Sequence, residues 1–289
     1  MTIVVLASVK GSPGVTTAAL AMAARWPTGR KVLLVEADPF GGDLAPRYGV
    51  TVTGGLASLS VAARRELTPE AVWEHVHELP GGLPVLFGLT GVRQAAANEN
   101  AWPAIAKALA GLDADVVVDA GRLLPQFAGG VGAVLAEADA LVVLCESTLG
   151  AIVHLRDALP GLVTERRGRQ LLVIPTGPAG YLAQDIAQTL QVAVGPSMPE
   201  DRAAAGALAN TRRMKRLQKT PLIRWAATVI AELGVHQPPV APSTIGDTTE
   251  GIASDEPLLR DVELLAASSA TPADDEAALG VRPRWEARR

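Results

Sequence analysis

The chain has 289 residues, 48% of them hydrophobic, which is enough to bury one large core or two small ones. Its net charge of −4 gives no overall pull towards nucleic acid, so any such contact is confined to a local basic patch. A single cysteine, Cys145, excludes an intrachain disulfide and suits a reducing cytoplasm, and no run of about 18 uncharged apolar residues is available to span a membrane.

Apolar runs of strand length recur at Ile3–Ala7, Val32–Val35, Leu83–Phe87, Val116–Val118, Ala140–Leu144, Leu171–Ile174 and Val192–Val194. Helical patterns lie between most of them: Thr17–Arg25, Ala71–Leu79 opened by Thr68-Pro69-Glu70, Trp102–Leu109, Gly130–Ala138, Ala151–Leu159, Leu182–Leu190 and Pro221–Leu233. This alternation predicts a doubly wound α/β fold, a mostly parallel sheet with helices on both faces. The N terminus lacks the positive first segment of a secretory signal, and Lys10 and Pro13 divide its apolar residues, so it reads as strand and helix.

The first strand runs into Val9-Lys10-Gly11-Ser12-Pro13-Gly14-Val15-Thr16-Thr17. A strand, a glycine-rich turn and a helix start aim backbone N–H groups and the positive end of a helix dipole at one point, which suits phosphate. Thr16 at the helix start would face the phosphates, where Mg²⁺ takes a hydroxyl as ligand. The ordinary pattern G-x-x-x-x-G-K-[ST] is not met, because Val15 stands where its lysine would be; Lys10 is the loop's one cation. Two further carboxylate segments follow strands: Glu36-Ala37-Asp38-Pro39-Phe40-Gly41-Gly42-Asp43 after the second, and Asp119-Ala120-Gly121 after Val116–Val118. In an open α/β sheet such ends share one edge, where ligands bind.

Lys10-Gly11-x-x-Gly14-x-Thr16-Thr17 resembles the deviant Walker A motif, K-G-G-x-G-K-T-T, of the MinD/ParA family of P-loop ATPases. The resemblance runs from about Met1 to Gly234, including a late segment, Val192 to Asp201, that in the family packs against adenine. It implies a P-loop NTPase-like domain over 1–234 that binds ATP and Mg²⁺ through Lys10, Gly11, Ser12, Gly14, Val15, Thr16 and Thr17. Lys10 matches the signature lysine that reaches a partner's nucleotide across a homodimer. Asp38 matches the switch I residue that orients water, Asp119 the Walker B carboxylate behind the metal, and the N–H of Gly121 would face a γ-phosphate. Val15 departs at the second lysine, and Pro175-Thr176-Gly177 replaces the Asn that reads adenine. The implied function is a cytoplasmic ATP-dependent switch that positions or partitions a cargo, with weak or partner-dependent hydrolysis. The alternative is a scaffold that keeps the fold without turnover.

Arg212, Arg213, Lys215, Arg216 and Lys219 form the densest basic cluster, a solvated helix face or, as the resemblance to the ParA branch implies, a patch for nonspecific DNA binding. The residues 235–289 change texture, with prolines and then ten acidic residues against five arginines from His236 onward, and are expected to form a disordered tail that serves, if anything, as a partner-docking segment. The four histidines show no metal-ligand spacing, His75 and His77 being read as opposite sides of one helix.

Overall fold

The computed structural model describes residues 1–235 apart from 12, 28, 124–129, 166–169, 178–179 and 211–213, and apart from the side chains of 163–165. The strands are β1 Ile3–Ser8, β2 Val32–Glu36, β3 His77–Leu79, β4 Leu83–Leu86, β5 Asp115–Arg122, β6 Ala140–Glu146, β7 Gln170–Thr176 and β8 Ala193–Val194. They form one sheet in the order β3-β4-β2-β5-β1-β6-β7-β8, parallel throughout except for β3 against β4. The helices are α1 Val15–Ala24, α2 Leu44–Tyr48, α3 Gly55–Ala62, α4 Pro69–Val72, α5 Val92–Ala97, α6 Trp102–Ala110, α7 Val131–Glu137, α8 Leu149–Glu165, α9 Ala183–Leu190, α10 Arg202–Leu208 and α11 Pro221–Glu232. No helix among the described residues is long and apolar enough to cross a membrane.

The two faces of the sheet can be read along β1. Ile3, Val5 and Ala7 enter a core shared with α3, α6, α7, α8 and α9, whereas Val4 and Leu6 enter a second core built with α1, α10 and α11. Such two-sided burial is why the central strands are continuous runs of Val, Ile and Leu. Helix α1 is sheathed almost completely: every residue from Ala18 to Ala24 is buried, because α10 and α11 cover the side it turns away from the sheet. The edge of the sheet at the strands' N-terminal ends is held by Asp115, which accepts hydrogen bonds from Thr2 N–H and Trp26 Nε1 and pairs with Arg30.

One expected element is corrected. The helix opened by Thr68 ends at Val72 instead of continuing to Leu79; a 3₁₀ turn, Trp73–His75, follows, and then β3. Gly81 and Gly82, both with positive φ, turn the chain back into β4, so the segment before them is drawn into an antiparallel hairpin. His75 therefore lies in the turn and His77 on a strand, and the reading of one helix carrying both does not hold. Among the described residues no group of three or more His, Cys, Asp or Glu side chains could hold a metal by itself.

Candidate functional site

The parallel strands place the ends of β1, β2, β5, β6 and β7 along one edge, so the segments beyond them meet there. Register fixes the details. Glu36 is level with Asp119 across the β2–β5 pair, and Leu6 of β1 is level with Asp119 on the other side. Asp38, two residues past β2, lies over Gly121: a Cβ on Gly121 (φ +55°) would stand 2.0 Å from Asp38 Oδ2. The carbonyl of Asp119 accepts a hydrogen bond from Ala37 N–H at 2.7 Å, which ties the second segment to the third. Asp119 and Gly121 belong to β5 itself, which runs four residues past the apolar run that announced it.

The first loop leaves Ser8, whose hydroxyl lies 3.4 Å from the Gly121 carbonyl oxygen it donates to, and its Gly11 and Gly14 take φ of 79° and 92°. A side chain at either glycine would be strained, so the turn needs the residue it has. Gly14 caps α1, and its carbonyl accepts from Ala18 N–H at 2.9 Å. Lys10 and Gly11 are exposed, Thr16 and Thr17 are half-buried, and Val15 is buried in the core beneath the loop, where it offers nothing to an anion. Ser12 lies outside the described residues.

Asp119 is the electrostatic centre of the rim. It is 1% exposed; Oδ1 accepts the Gly121 N–H at 3.1 Å, and Oδ2 is buried with no hydrogen-bond partner among the described residues. Burial pushes its pKa up to about 7; the Thr16 hydroxyl facing it and the Gly121 N–H pull downward, and the nearby Glu36 and Asp38 carboxylates push upward. Burial also raises Asp38, against the hydrogen bond that Asp38 Oδ1 accepts from Phe40 N–H at 2.8 Å. A buried carboxylate with an orphaned oxygen beside a helix-start hydroxyl fits Mg²⁺, which keeps several waters and takes few protein ligands.

Glu36 has a different task from the neighbouring carboxylates. Its Oε1 accepts from Asp43 N–H at 2.6 Å and Leu44 N–H at 2.9 Å, and its Oε2 accepts from Gly88 N–H at 3.0 Å. Gly42 and Gly88 make room for it, since a Cβ on Gly42 would stand 2.2 Å from Oε2. This fastens both ends of the Asp38 segment, and α2 follows directly. At the far end of α2 the Tyr48 hydroxyl donates to the Leu208 carbonyl at 2.6 Å, so α2 is also fixed to the end of α10. Sequence reasoning noted Glu36 only as part of a carboxylate segment after the second strand; its donors at Asp43, Leu44 and Gly88 carry no pattern that could have announced them.

Beside the loop an open cleft of about 540 Å³ is lined by Pro13, Gly14, Glu146, Thr176, Gly177, Glu200 and Arg202. Met198 lies against Gly14, its N–H donating to the Pro175 carbonyl at 2.9 Å, which brings the late 192–201 segment to the cleft. Thr176 Oγ1, at the position of the missing Asn, is buried without a partner among the described residues. Glu146 was missed as a site residue: its Oε1 would be 3.3 Å from a Cβ on Gly11. Cys145 is buried and its pKa is pushed up to about 11 by burial, with Glu146 adding to the rise, which excludes a reactive thiolate at neutral pH.

No protein-family model matches the chain, and no curated protein matches it. Solved structures do. An ATP complex of a variant McdA from Cyanothece aligns at a TM-score of 0.63 and 19% identity, over 82% of this chain and 98% of that one. The ParA family ATPase of Chlorobium tepidum aligns at 0.62 and 18%, over 79% and 98%. The septum site-determining protein MinD of Pyrococcus horikoshii, complexed with Mg-ADP, aligns at 0.61 and 19%, over 81% and 98%. The chain has the ParA/MinD fold. Within that fold Lys10, Thr16, Asp38, Asp119 and Gly121 occupy one rim. Of the basic cluster, Lys215, Arg216 and Lys219 are exposed ahead of α11, and Arg212 and Arg213 lie outside the described residues. The tail from 236 also lies outside them.

Proposed function

We propose that this chain is a nucleotide-binding switch of the ParA/MinD kind, which binds ATP with Mg²⁺ and dimerises around it in the cytoplasm to position a cargo. The observation that carries this reading is the meeting at one edge of the sheet of the Lys10 loop, the Asp38 segment and the end of β5 that bears Asp119, with a buried, unpartnered Asp119 oxygen beside Thr16. In it the backbone of Gly11, Ser12 and Gly14 and the first turn of α1, with Val15, Thr16 and Thr17, cradle phosphate. The exposed Lys10 is free to extend towards a second copy's nucleotide. When bound, Mg²⁺ neutralises charge on the β- and γ-phosphates. The Thr16 hydroxyl would hold it, Asp119 would accept from its water shell and Asp38 would accept a hydrogen bond from the attacking water; the Gly121 N–H, which donates to Asp119 Oδ1 in this structure, would turn to the γ-phosphate only on leaving that carboxylate. Lys215, Arg216 and Lys219, with Arg212 and Arg213, supply salt-sensitive contacts to DNA phosphates, and the tail offers a site for a protein partner.

A second reading, a scaffold that binds partners without turnover, is favoured by the burial of Val15: a site with Lys10 as its loop cation and Glu36, Asp38, Asp119 and Glu146 close by has lost charge stabilisation worth several kcal/mol in a transition state. Calorimetry of ATP with Mg²⁺ tests the choice. Binding in the micromolar range or weaker, lost in Lys10→Ala, with slow phosphate release, is expected of the switch. Heat of binding unchanged by Lys10→Ala removes the clamp, and no binding at all leaves the scaffold.

A further inference from the structure

The charges of this chain are segregated along its sequence. From Arg202 to Ala231 there are seven Lys and Arg and no Asp or Glu; from Asp247 to Glu276 there are nine Asp and Glu and one basic residue, Arg260. The whole chain is −4 and the residues from 236 onward are −5, so the part before them is +1. The acidic stretch is therefore opposite in sign to the basic one, and both are thirty residues long.

The fold sets the basic residues about one helix length from the point where the described chain ends. Arg216 and Lys219 bracket a 3₁₀ turn, Leu217–Lys219, that leads through Thr220 into α11, and Arg224 follows on that helix's first turn. All three are exposed, and no carboxylate among the described residues forms an ion pair with them. The segment holds its shape without needing them: Thr220 accepts the Ile223 N–H, Asp201 accepts the Leu222 N–H, and Leu217, Leu222 and Ile223 are buried beneath. α11 spans twelve residues, about 18 Å at 1.5 Å per residue, and the chain leaves its far end at Val235. The twelve residues from His236 to Asp247 reach at most about 40 Å, twice the length needed to return along the helix. A partner tethered at that range acts at an effective concentration on the order of millimolar.

We infer that the acidic stretch 247–276 docks on the chain's own basic surface at Lys215, Arg216, Lys219 and Arg224 and competes there with external polyanions. The docking is electrostatic, so salt dissolves it, and a polyphosphate backbone displaces it by offering denser charge. It rests on the proposed DNA contact only for the identity of the competitor.

Zero-length carbodiimide coupling of the full-length protein tests the contact directly, because it joins a lysine amine only to a carboxylate already beside it. At about 50 mM salt, Lys215 or Lys219 is expected to couple to the 247–276 carboxylates within one chain, and the coupling is expected to disappear at about 0.5 M salt. It should also fall at least about fivefold when Asp255, Glu256, Asp261 and Glu263 are changed to Asn or Gln in the full chain. The same variant is expected to bind a mixed-sequence duplex about fivefold tighter than wild type at the lower salt, the difference closing at the higher. Coupling spread equally over Lys31 and Lys107, coupling indifferent to salt, or equal duplex affinity of variant and wild type when both bind would each overturn the inference. Coupling as expected with neither protein retaining duplex would uphold the docking and remove the DNA contact instead.

Discussion

Asp119→Asn in protein free of nucleotide and Mg²⁺ should make the fold more stable, although it removes the carboxylate on which the site is centred. With a pKa raised from 3.8 to about 7, the ionised side chain above pH 8 carries a penalty of roughly 3 pH units, about 4 kcal/mol. Asparagine keeps the oxygen that accepts the Gly121 N–H and puts an amide, facing the Thr16 hydroxyl, in place of the unpartnered Oδ2. The expected gain is about 2–4 kcal/mol at pH 8. The sign with pH follows from the raised value. Between the ordinary carboxylate range and about 7 the folded state binds the proton more than the unfolded state does, so wild-type stability falls as pH rises through that window and the variant's lead grows. Glu36 and Asp38, also raised, leave part of the slope in both proteins. Urea unfolding at about pH 5 and about pH 8 measures the difference. A variant no more stable than wild type at the higher pH, or a lead equal at both, would refute the account of the buried charge.

Val15→Lys places an ammonium at a position 6% exposed in the second core and should lower stability by about 1–3 kcal/mol without ligand; Mg-ATP should recover most of that in thermal unfolding if the loop holds triphosphate. Gly42→Ala sets a Cβ 2.2 Å from Glu36 Oε2 and should destabilise by more than about 2 kcal/mol in chemical denaturation, whereas Gly49→Ala, at φ 63° with nothing within 4 Å, should cost only about 1 kcal/mol.

The central strands were legible because burial on both faces leaves no polar alternation to confuse them: Ile3–Ala7, Val32–Val35 and Ala140–Cys145 stand as unbroken apolar runs within β1, β2 and β6. The order in which Lys10, Asp38 and Asp119 follow strands was legible for the same reason, since a parallel sheet sends all such ends to one edge. The β3–β4 hairpin was not, because His77-Glu78-Leu79 has no strand composition and is made a strand by the glycines after it and by pairing with β4. Short helices such as α2 and α5 were missed because tertiary contacts hold them: α2 begins on the Glu36 carboxylate and ends at Leu208. The cleft beside Gly14 joins residues from 13 to 202, a proximity no local pattern encodes.

The enclosure of α1 decides which parts of the rim can yield. The loop after β1 is hung on a helix buried along its length, so a ligand bound at that loop would find little slack to take up on the Lys10 side. The give lies with the Asp38 segment, a strap buckled at Glu36, and with α2, which it pulls. Because the Tyr48 hydroxyl ties α2 to the end of α10, a shift of that strap would be felt at Leu208, a few residues ahead of Lys215 and Arg216, which links the rim to the basic surface.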